Sequence, residues 1–326
     1  MTIETLIAEA NPVVISSIEG PDSARARQIL HEVVSAPRNS NRSRISLVAS
    51  GVAAVGIAVA LVTQVVPDGA GNPSSAAAAE LTHLASTASA LPSISAPQAG
   101  QFQYTESVGA STDTYGDTPV FNVDVQTHRQ IWVGPDGSGR ILETASNPTF
   151  PTAQDRANWL AQGSPPLTTE PVDQTFGPGG LTDGPVNLWT LPTDPTTLAN
   201  WVSSRRIEGG PSGPQEDFVQ VGDLLRETDA PPALRSALFQ VASHIPGVQL
   251  EGTVKTQTGQ SGVAVAYVEK GGSGQQTLDE LIFDPTSSAL IGTQDVLVNP
   301  ATGSSTIETW TSYLASKVMN STQGAS

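Results

Sequence analysis

The sequence predicts an α+β protein, with an N-terminal transmembrane helix followed by an extracytoplasmic antiparallel β-sheet covered by helices. Three observations predict it. Ile45 to Val66 is a run of 22 residues without a charge. Between Pro195 and Pro246 apolar residues recur at helical spacing and prolines punctuate them. From Val248 onward short, strand-like segments alternate with hairpin-like turns.

The apolar run is long enough for a helix, at about 1.5 Å per residue, to cross a hydrocarbon core of about 30 Å. Arg38, Arg42 and Arg44 precede it, and Asp68 is the first charge after it. Basic residues mark the cytoplasmic side, so the N-terminus is expected inside, the remainder outside, and the protein in the plasma membrane. The 44 residues ahead of the run exceed an ordinary n-region and the run exceeds a signal-peptide core. A retained signal-anchor is therefore expected rather than a cleaved leader. The resulting organisation is a short cytoplasmic helical segment at 1–44, a transmembrane helix at 45–66, a linker at 67–75 and an extracytoplasmic α+β domain at 76–326.

The cytoplasmic segment carries five Arg and five acidic residues, so the whole net charge of −16 lies beyond Val66. Thr2 to Glu9 and Pro21 to Ser35 have amphipathic spacing, ended by Asn11-Pro12 and Pro37. Forty-four residues are too few to bury a core unaided, so the two stripes need each other, a membrane surface or a partner's groove.

In the outer domain a helix is expected from Ser75 to Leu91, with Leu81, Leu84, Ala85 and Ala88 on one face. The period then changes to two. Gln101 to Val108, Val120 to Val133 and Arg140 to Thr144 read as strands, with a turn at Pro135-Asp136-Gly137-Ser138-Gly139. The middle reads as helical: Thr152 to Ala161, a helix capped by Asp194-Pro195, Pro214 to Glu227 and Pro231 to His244. Five strands follow, at Val248 to Gln257, Gly262 to Lys270, Thr277 to Phe283, Ala289 to Val298 and Ser305 to Ala315. Consecutive hairpins imply an antiparallel meander, whose apolar face needs a helix layer.

The chain has no cysteine, which excludes disulfides, zinc–thiolate sites and thiol nucleophiles. The acidic balance argues against nucleic acid as a partner. No nucleophile elbow, P-loop, dinucleotide fingerprint or zincin motif occurs in a fitting context. The acids are scattered and read as solvated surface. His128 with Asp124 is the one pair on a strand that could do acid–base work, but four strand residues separate them by about 13 Å. His83 falls on the first helix and His244 at a helix end, where the dipole accounts for it. The reading is therefore not an enzyme, with no catalytic, cofactor-binding or metal residue assigned and no cofactor expected.

Ala24-Arg25-Ala26-Arg27 in the inside helix, the arginine-flanked anchor and the Ala-rich helix from Ala76 to Ala90 come in order along the chain. Gly100-Gln101-Phe102-Gln103-Tyr104 and the hairpin Ile282-Phe283-Asp284-Pro285-Thr286 with Leu290-Ile291-Gly292 follow. This layout resembles an uncharacterised actinobacterial family of single-pass membrane proteins commonly encoded beside extracytoplasmic-function sigma factors. The outer layout also resembles lipoprotein-carrier and sigma-regulator sensor domains in architecture. The resemblance implies an acidic extracytoplasmic sensor or binding domain in anti-sigma-like envelope signalling, with a sigma factor or other regulator contacted by residues 1–44. The alternative is an extracytoplasmic protein that binds a lipid or apolar ligand. The chain lacks the His/Cys ligands of zinc-binding anti-sigma factors.

Overall fold

The computed structural model describes residues 73–323 except 117–118, 168–169, 181–186, 207–212, 227–229 and 272–273, all within the unit Val59–Ser326. The expected cytoplasmic helices and the expected span Ile45 to Val66 lie outside the described residues. Among the described residues no helix is long and apolar enough to cross a membrane.

Among the described residues the architecture is an antiparallel nine-stranded sheet with five α-helices, an α+β fold. Helix α1 (Ser75–Ala90) comes first, then strands β1 (Phe102–Tyr115), β2 (Phe121–Val133) and β3 (Gly139–Ala145). Helix α2 (Ala153–Ala161) and strand β4 (Val172–Phe176) complete the first half. Helices α3 (Pro195–Ser203), α4 (Gly213–Leu225) and α5 (Pro232–Ala242) form a consecutive group. Strands β5 (Val248–Lys255), β6 (Ser261–Lys270), β7 (Gln276–Phe283), β8 (Leu290–Asn299) and β9 (Ser304–Met319) close the chain. The strand order β4-β3-β2-β1-β9-β8-β7-β6-β5 is two meanders fused along β1 and β9.

Helix α1 starts where Ser74 accepts a hydrogen bond from the Ala77 amide at 3.1 Å, satisfying one of the donors every helix start leaves over. The Ser74 amide in turn donates to the Val248 carbonyl at 3.0 Å, which ties the helix start to β5. Ala77, Leu81, Leu84, Ala85 and Ala88 are its buried face, and the alanines let it lie close to α5. Helix α5 is buried nearly all round, as expected of a helix at the centre of a layer. It packs against α1, α3 and α4, and Phe239 meets Phe283 of β7 edge-on at 5.0 Å.

This main core uses one face of the sheet, through Val248, Val265, Leu281 and Phe283. A second cluster on the same face joins Phe121, Val123 and Val125 of β2 to Phe150, Trp159 of α2 and Leu167. Between the two, the register puts Thr105 and Ser107 of β1, Thr309, Thr311 and Tyr313 of β9, and Thr293 and Asp295 of β8 on this helix-covered face. A polar strip thus separates two apolar cores.

Strand β4 falls in the region the sequence reads as helical, and it is exposed at Val172 to Thr175. Strand β1 runs seven residues beyond the predicted Val108, because Gly109 to Tyr115 stay in register with β2.

Candidate functional site

The polar groups concentrate at the middle of the sheet, and two arrangements stand out. The first lies on the face away from the main core. Glu106 of β1 accepts from Tyr104 Oη at 3.0 Å on one oxygen, and its other oxygen pairs with His128 Nε2 at 2.8 Å. Gln130 donates to Tyr104 Oη at 2.8 Å, completing a chain over β1 and β2. Burial, and the bond it donates to Glu106, push the Tyr104 hydroxyl up to about 12. Trp132 packs beside Tyr104 at 5.0 Å, with the Arg140 guanidinium over its ring and the Lys317 ammonium over Tyr104. Antiparallel pairing therefore brings His128 to a carboxylate on the neighbouring strand. Asp124 is occupied elsewhere, accepting from Thr112 Oγ1 at 2.7 Å.

The second arrangement begins with Gly222 of α4. A Cβ there would lie 3.2 Å from Leu281 Cδ2, so its absence lets the helix sit close on β7. That approach carries Asp223 and Arg226 over the next stretch of the sheet. Arg226 donates to Asp223 at 2.9 Å. Beneath them Asp279 of β7 stands directly opposite Asp295 of β8, which stands opposite Thr309 of β9. Thr309 donates to Asp295 at 2.7 Å. Burial first, then the Asp295 charge, push the Asp279 carboxyl up to about 6; Arg226 works in the opposite direction.

Across the sheet, Glu280 points to the other face. It is 5% exposed, and its carboxylate accepts from Gln294 Nε2 at 2.7 Å. Burial pushes this carboxyl up to about 7, and burial likewise raises Glu251 on β5. The expectation that the acids are solvated surface is corrected here: Glu280, Glu216 and Asp155 are all buried. Asp155 is held by the Asn122 amide at 2.8 Å and by Thr152, while Gln220 donates to Glu216 at 3.3 Å. Each buried acid thus has a donor that replaces water. One signal was available in the sequence, since Asp279-Glu280 lies between Leu278 and the apolar run Leu281-Ile282-Phe283.

The remaining histidines are simple. His83 lies on an exposed position of α1, and His244 donates from Nδ1 to the Gln240 carbonyl at 2.8 Å, occupying an end carbonyl of α5. Among the described residues no three His, Cys, Asp or Glu side chains converge to hold a metal ion. A shallow cavity of about 260 Å³, lined by Glu80, Thr253, Ser261, Gly262, Val263 and Pro285, involves neither arrangement.

No protein-family model matches the chain, and no curated protein matches it. Among solved structures, the Pseudomonas aeruginosa MucA/MucB complex is similar, with 12% identity and a TM-score of 0.24. The match covers 74% of this chain and 57% of that chain. At that depth the likeness transfers no residue role.

Proposed function

We propose that this protein is a single-pass membrane regulator, with an acidic α+β sensor or binding domain outside the cytoplasm and residues 1–44 contacting a sigma factor or another regulator inside. The observation that carries the reading is the 22-residue uncharged run with three arginines before it and Asp68 after it. The charge partition supports it, because the inside segment is neutral and the surplus of acid follows the run. An acidic domain is repelled by anionic headgroups and stays clear of the bilayer. The family resemblance of the layout supplies the regulatory role. The domain is proposed as a binding rather than a catalytic module.

Topology and partner are tested separately. A phosphatase that is active only outside the cytoplasm, fused after Ala70, is expected to be active; an inactive fusion together with an active cytoplasmic reporter at the same position overturns the membrane reading. Full-length protein purified from membranes is expected to carry a sigma factor or regulator with it. If deletion of residues 2–44 leaves the recovered partners unchanged, the inside segment is not the contact.

A further inference from the structure

We propose that Asp279, opposed to Asp295 across β7 and β8 beneath Asp223 of α4 and Arg226 just past its end, forms a proton-operated latch that holds α4 on the sheet when Asp279 carries a proton and loosens it when Asp279 is ionised. The geometry sets the conflict. Residues directly opposite in an antiparallel pair have Cβ atoms about 4.5–5.5 Å apart, and like charges there repel. Three carboxylates then face one guanidinium, Arg226, so full ionisation leaves the cluster with surplus negative charge.

The groups facing Asp279 from the surrounding elements are Asp223 on α4, Arg226 just past its end, Tyr267 on β6, Asp295 on β8, and Tyr313, which adjoins Arg226 from β9. Among them Arg226 is the cation acting on Asp279, and it already donates to Asp223. The close seat of Gly222 on Leu281 couples this charge balance to helix position, because the helix cannot stay down without keeping Asp223 and Arg226 over the pair.

The direction follows from linkage. The Asp279 carboxyl is raised, so the folded state holds its proton more tightly than the unfolded chain does. The stabilisation is complete below the ordinary aspartate range near 3.9 and is lost as the pH rises through about 6. Acidification tightens α4; neutral pH loosens it. The latch belongs to the folded domain and holds whichever compartment the domain occupies.

The test is hydrogen exchange of the α4 amides in the full-length chain, comparing variants at equal pH so that intrinsic exchange cancels. At pH 7, α4 in the native protein is expected to exchange about tenfold or more faster than in Asp279→Asn, which mimics the protonated form. At pH 4.5 the two are expected to agree within about twofold. Asp295→Asn is expected to move the native transition to lower pH, because it removes the repulsion and leaves Asp279 able to ionise. Glu280→Gln, on the other face, is expected to leave the α4 transition in place. Equal α4 exchange in native protein and Asp279→Asn at pH 7, or a transition unmoved by Asp295→Asn, overturns the latch.

Discussion

Phe239→Ala tests whether the helix layer is clamped to the sheet through α5. Phe239 and Phe283 are 0% and 1% exposed, with rings 5.0 Å apart at 86°. This edge-to-face arrangement is favoured by the ring quadrupoles. Truncation removes the buried ring and leaves a void that well-packed neighbours only partly fill, which costs about 3–5 kcal/mol. About 0.5–1.5 kcal/mol of this belongs to the ring pair itself. In a domain of this size each kcal/mol lowers the melting temperature by about 2–4 °C, so a fall of about 6–20 °C is expected. Tryptophan fluorescence of the full-length chain during a thermal ramp reads it. Phe239→Leu keeps much of the volume and is expected to lose less than half as much. A cycle with Phe283→Leu isolates the coupling between the rings. A fall below about 2 °C for Phe239→Ala would refute the claim that this contact anchors α5 on β7.

Two further outcomes are expected. Asp194 caps α3 by accepting from the Thr197 amide at 2.9 Å, so Asp194→Ala should cost about 0.5–2 kcal/mol in denaturant unfolding, while Asp194→Ser should restore most of it. Gly262 has no room for a side chain, since a Cβ would lie 2.6 Å from the Phe283 carbonyl oxygen and 2.8 Å from Ile282 and Ile291; Gly262→Ala should destabilise by about 1–3 kcal/mol, and an unchanged unfolding midpoint would contradict the packing.

Local chemistry made much of this fold legible. Asp194-Pro195 announces α3 because the carboxylate satisfies an amide left over at the helix start and proline already has the required φ. The five strands after Gly247 were readable because tight turns separate them and each pairs with its chain neighbour. Strand β4 was not readable, since an exposed edge strand has no buried side to impose an alternation. What pins it is distant in sequence: Asp173 pairs with both Nε and Nη2 of Arg140 on β3, at 2.7 and 2.8 Å. The β1–β9 seam that fuses the two meanders is likewise long-range. Gly109 to Tyr115 shows no alternation and is extended because β2 returns along all of it and β9 along Gly109 to Ser111.

The buried acids show the limit in its sharpest form. Period two alone puts Asp279 and Glu280 on opposite faces of β7. It does not say what each will meet. The register does: Glu280 stands opposite Gln294, an amide that donates to it, and Asp279 stands opposite Asp295, a second carboxylate. A slip of one residue would change those fates, placing Asp279 against Gln294 and Glu280 against Thr293 in one direction, or Asp279 against Val296 and Glu280 against Asp295 in the other. Two irregularities bracket this stretch, between Ile282 and Phe283 in the β7–β8 ladder and between Asp295 and Val296 in the β8–β9 ladder. Bulges break a ladder at defined places and help fix the pairing on either side. The acid that receives a neutral partner and the acid that receives a charged one are therefore decided by register and bulges, together with the helix that Gly222 lets down above them. The charge conflict at Asp279 is a property of strand alignment rather than of the residue's own sequence neighbours.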